Sequence, residues 1–140
     1  MAPERLRILA GQLALTPALG ESAHTVEGRW FGALKTETSE RHCWLSERRS
    51  NGTYRTEFLT ENAGTFERYN EGGRWAQSST AFATLVETRN GASIPPRRLD
   101  YAIVELTQDR LVYRHIPSGA EFTTRRVGDD FQLPEHCGIR

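Results

Sequence analysis

The feature that most constrains this chain is the spacing of its turns. From Val26 onward, turn-forming residues recur at intervals of about 8 to 12 residues, the rhythm of an all-β meander. Asn51-Gly52 is the clearest of them, because this pair readily takes the positive φ values of a tight hairpin. Asn62-Ala63-Gly64, Gly72-Gly73, Asn90-Gly91, Gln108-Asp109 and Pro117-Ser118-Gly119 repeat the signal. Between them run segments rich in β-branched and aromatic residues: 53–59, 65–69, 74–78, 81–89, 99–107, 110–116 and 121–127. With 28–30 and 43–45 they make eight or nine strands. Pro95-Pro96 marks 91–98 as a rigid loop that crosses a barrel mouth.

Each strand has one face to bury. Tyr54, Thr56 and Phe58 alternate with Arg55 and Glu57, and Leu111 and Tyr113 oppose Arg114. Successive hairpins without intervening helices satisfy that need as a sandwich or as a closed barrel, and closure removes the exposed edges. The expected architecture is an antiparallel up-and-down meander of eight or nine strands closing into a barrel over 26–140, with a C-terminal tail and no linker that divides it.

Residues 1–25 form a separate N-terminal segment. Two readings stand for it: a short amphipathic helix over Pro3–Leu15 with Leu6, Leu9 and Leu13 on one face, or a weak secretory signal. Gly11, Gln12, Thr16 and Pro17 dilute the apolar run, which tips the expected compartment toward the cytoplasm. No stretch approaches the roughly 20 apolar residues of a membrane span.

Charge narrows the partners. The 18 basic and 18 acidic side chains cancel, and the arginines are scattered, so no field steers nucleic acid to the surface. Arg48-Arg49, Arg97-Arg98 and Arg125-Arg126 read as ordinary solvated or strand-end charges.

Gly28-Arg29-Trp30 on the first strand, a meander after it, and Arg125 or Arg126 late in the last strand resemble the lipocalins of the calycin superfamily, and small bacterial lipocalin-like proteins in particular. The resemblance implies that Trp30 closes one end of the cup while a late arginine stacks on it. The chain departs from the family in lacking a long C-terminal helix, and Leu99-Asp100-Tyr101 only partly matches the Thr-Asp-Tyr motif. The resemblance brings no activity with it.

Alternation assigns Trp30, Trp44, Tyr54, Phe58, Tyr101, Tyr113 and Phe122 to the inward faces. The expected function is binding of a small, largely apolar ligand in the barrel, with Trp44, Tyr54, Phe58, Tyr101, Ile103, Glu105, Tyr113 and His115 as its lining. An isomerase or cyclase using His115, Glu105 and a luminal tyrosine is one rival. An interaction domain with a filled core, dimerising through its wall, is the other. No nucleophile elbow, phosphate loop or dinucleotide fingerprint is present, so neither catalytic residues nor a cofactor are expected.

The two cysteines stand in His42-Cys43 and His136-Cys137. They read as a disulfide, as a zinc site, or as unrelated thiols. Zinc is disfavoured, because adjacent residues on a strand point to opposite faces. No metal site is expected.

Overall fold

The computed structural model describes residues 24–137, together with the strands β1 (Arg7–Leu9) and β2 (Gln12–Ala14). These two pair antiparallel with each other. Strand therefore stands at those residues where a helix over Pro3–Leu15 was one expectation; the remainder of that segment lies outside the described residues.

Eight strands follow: β3 (Gly28–Lys35), β4 (Arg41–Arg48), β5 (Thr53–Asn62), β6 (Thr65–Gln77), β7 (Ala81–Arg89), β8 (Ala92–Leu106), β9 (Arg110–His115) and β10 (Glu121–Arg126). Every sequential pair is antiparallel, and β10 pairs with β3 to close the barrel. The meander read from the turn spacing is the fold.

Two expectations are corrected. Gly72-Gly73 is not a turn but a register shift inside one continuous strand, β6, where 65–69 and 74–78 were read as two. A Cβ on Gly73 would meet the Leu85 backbone, so glycine here permits close approach of neighbouring strands. Residues 92–98 of the 91–98 stretch are likewise strand rather than loop, after the Asn90-Gly91 turn. Pro95 and Pro96 fall between the pairs Thr88↔Ser93 and Val86↔Arg97, where the ladder is irregular. β9 pairs only with the later part of β8, from Tyr101 onward. The prolines therefore sit on a free edge, where a missing N–H costs no ladder hydrogen bond.

One end of the barrel is filled. Val26, Trp30, Phe82, Leu111 and Tyr113 form a buried cluster there, with Trp75, Ile103 and Leu106 packed against it. Trp30 is fully buried, and its indole N–H donates to the Val26 carbonyl at 3.0 Å. The Arg126 guanidinium lies 4.3 Å from the Trp30 ring and donates to the carbonyls of Glu27 and Thr25, tying the first and last strands together. Gly28 has φ +115°, and its missing side chain leaves the space that the Arg126 guanidinium occupies. Arg125, the other candidate for this stack, lies outside over Phe31 and Phe131.

A second cluster lies on the outer wall. Cys43, Leu45 and Leu59 point away from the lumen and are covered by Val127, Phe131, Leu133 and Cys137 of the C-terminal tail. Arg29 donates to the carbonyls of Gly128 and Phe131, and Arg68 donates to that of Pro134 at 2.7 Å. A Cys43–Cys137 disulfide, with Cα atoms 5.5 Å apart, fixes the tail to β4. Of the three readings of the cysteines, the disulfide is the one present. No group of metal-ligating side chains assembles among the described residues.

Candidate ligand-binding site

Above the filled end the lumen holds a cavity of about 370 Å³, within the ~300–1,000 Å³ range of small-molecule sites. Alternation builds its wall. β4 contributes His42, Trp44, Ser46 and Arg48, and β5 contributes Tyr54, Thr56 and Phe58. Tyr69 and Glu71 of β6, Thr84 of β7, Leu99 and Tyr101 of β8, Tyr113 of β9 and Phe122 of β10 complete the ring. Leu34 and Thr36 carry the lining to the β3–β4 connection, the end opposite Trp30.

Aromatic contacts give this wall its shape. Phe82 stacks on Tyr101 with centroids 4.9 Å apart, Tyr101 meets Tyr113 edge-on at 5.1 Å, and Tyr113 meets Phe122 at 5.4 Å. Phe58 and Tyr69 stack at 4.7 Å farther up. Trp44 meets Phe122 at right angles and rests against Gly32, whose Cβ would collide with the indole. Glycine at position 32 therefore makes room for the Trp44 indole. Ala81 and Ala83 alternate with Phe82 and Thr84 and face away from the lumen.

Of the eight residues expected at the site, Trp44, Tyr54, Phe58, Tyr101 and Tyr113 line the cavity together. The other three do not. Ile103 packs into the filled end. Glu105 is exposed and pairs with Arg110 at 3.2 Å on the outside. The physical reason is a bulge between Ile103 and Glu105, which inserts one residue and reverses the strand's parity, so that Leu106 instead packs inward. His115 shares the face of Tyr101 but sits at the rim, where its Nδ1 hydrogen-bonds the Ser118 hydroxyl at 2.8 Å. The acid–base constellation of His115, Glu105 and a luminal tyrosine is thus not assembled.

Arg48 was missed. Read as a strand-end charge beside Arg49, it is 5 % exposed and lies at the deep end of the cavity. Its signal was present in the sequence, since it falls on the same strand face as Trp44. Its guanidinium lies 4.7 Å from the Phe82 ring and makes one long hydrogen bond, 3.4 Å, to the Val26 carbonyl. Its buried Nε has no partner. Desolvation lowers its pKa from the ordinary arginine value. Burial likewise pushes the Tyr54, Tyr101 and Tyr113 phenols upward, so they stay protonated as hydrogen-bond donors. Glu71, the other charged group on the wall, is nearly buried and pairs with Arg97 at 3.5 Å.

Compared with known proteins, the chain matches no family model, no curated protein and no solved structure.

Proposed function

We propose that this protein is a lipocalin-like binding barrel that holds a small, largely apolar molecule in its upper lumen. The observation that carries this reading is the cavity itself: about 370 Å³ lined mainly by aromatic and aliphatic side chains, above an end already filled by Trp30 and Phe82. An interior packed throughout would serve structure alone, whereas an apolar cavity offers a ligand dispersion contacts along its whole lining. The bound molecule enters past Leu34 and Thr36 and packs against Phe58 and Tyr69.

Titration with Nile red, an uncharged dye that fluoresces in apolar surroundings, tests the proposal. Saturable one-to-one binding is expected, and a Leu99→Trp variant, which fills the chamber, weakens it about tenfold or more. A folded protein that takes up no dye, or a variant that binds as well as the parent, would overturn it.

A further inference from the structure

Resting on that binding reading, we infer that the ligand is an anion: a medium-sized apolar carboxylic acid that enters acid-first and places its carboxylate on Arg48. Three observations converge on this residue. It is a permanent cation that is nine-tenths buried yet lines the cavity. Among the described residues it takes part in none of the ion pairs, while Glu71, the carboxylate on the same wall, is engaged by Arg97. Its Nε is buried with no acceptor, so the planar fork that suits a carboxylate is incompletely used.

The surroundings select the same chemistry. The titratable groups acting on Arg48 are Tyr113, Tyr101 and Tyr54, which present hydroxyls rather than carboxylates. A neutral hydroxyl donates to an anion without competing for the guanidinium, as a glutamate in that place would. The floor therefore offers donors and no carboxylate, and the wall above it is largely apolar, its one carboxylate, Glu71, held by Arg97. That polarity matches an aliphatic or aryl acid and mismatches an amine or a hydrocarbon. A buried charge is costly without a partner, and a bound carboxylate supplies the counter-charge.

Displacement of Nile red by decanoate, decanol and methyl decanoate at neutral pH tests the inference on the unaltered protein. Decanoate is expected to displace the dye at concentrations about ten- to a hundredfold lower than its uncharged analogues, the range of a charge-assisted hydrogen bond. In Arg48→Met, which keeps a side chain of similar length, the order of the three, read by direct calorimetric titration, reverses; Arg48→Lys keeps part of the preference. Dye binding with no preference for decanoate overturns the anionic ligand and leaves the apolar cavity standing. A preference that survives in Arg48→Met overturns the role of Arg48. Failure of the parent protein to bind dye or any of the three overturns both readings.

Discussion

The two ends of the lumen are built from the same strands and the same kinds of residue, yet one is solid and the other is hollow. At the solid end Trp30 and Phe82 are fully buried, and Val26, which precedes the first barrel strand, is packed among them. In the chamber, Trp44, Tyr54, Phe58 and Tyr101 are as large, but they stack along the wall and leave the axis free. The difference lies in what closes the axis rather than in the composition of the strands. A chain segment crosses the bottom and is fastened by Arg126, whereas at the top the described tail runs outside, over Cys43 and Leu59. Arg48 marks the boundary, in contact with Phe82 and lining the cavity.

The largest break in this comparison comes from Trp30→Ala. Removing a fully buried indole and the platform for Arg126 is expected to cost about 3–5 kcal/mol in denaturant unfolding, because the solid end cannot collapse to fill the hole. Next is the outer fastening. Replacing Cys43 and Cys137 by serine opens a closure spanning 94 residues and is expected to cost about 2–5 kcal/mol. Hydrogen exchange should then rise first at Phe131 to Cys137 and on β4, with the amides around Trp30 unchanged. Phe58→Ala sharpens the contrast from the other side. This side chain is half-buried and already borders the cavity, so the loss in stability is expected to be about 1 kcal/mol, well below that at Trp30, while Nile red affinity falls.

The smallest effect is read by alkaline titration. Burial raises Tyr54, Tyr101 and Tyr113 above the ordinary value of 10.0, so the folded barrel keeps phenol protons that the unfolded chain releases. Their contribution to stability is complete below pH 10.0 and is lost as the pH rises through the folded values. Phenolate absorbance should therefore lag the free-tyrosine curve and appear together with unfolding. Ionisation of these residues at the ordinary value in a folded barrel would show that water reaches the floor.

Much of this architecture was legible because hairpin turns and alternation are local. Asn51-Gly52 and Asn90-Gly91 join β5 to its predecessor and β8 to β7 as the pattern implies, with Gly52 and Gly91 at positive φ. Gly28-Arg29-Trp30 and a late arginine meet as the family resemblance implies, and the structure selects Arg126. The failures occur where a tertiary neighbour resets the local rule. Gly72-Gly73 has turn composition but is held extended by β7, and the bulge before Glu105 reverses a parity that the sequence does not mark. Arg48 illustrates a different limit. Its strand face was readable, but its charge argued for solvent, and only the closed barrel reveals that it is buried with no counter-ion among the described residues.

The most direct measurement is a crystal structure with a fatty acid carrying bromine at the end of its tail, located by anomalous scattering. The account predicts the bromine in the upper chamber near Leu34, Phe58 and Tyr69, with the carboxylate within hydrogen-bonding reach of the Arg48 guanidinium. Bromine beside Arg48, or on the outer wall with the chamber vacant, would contradict it.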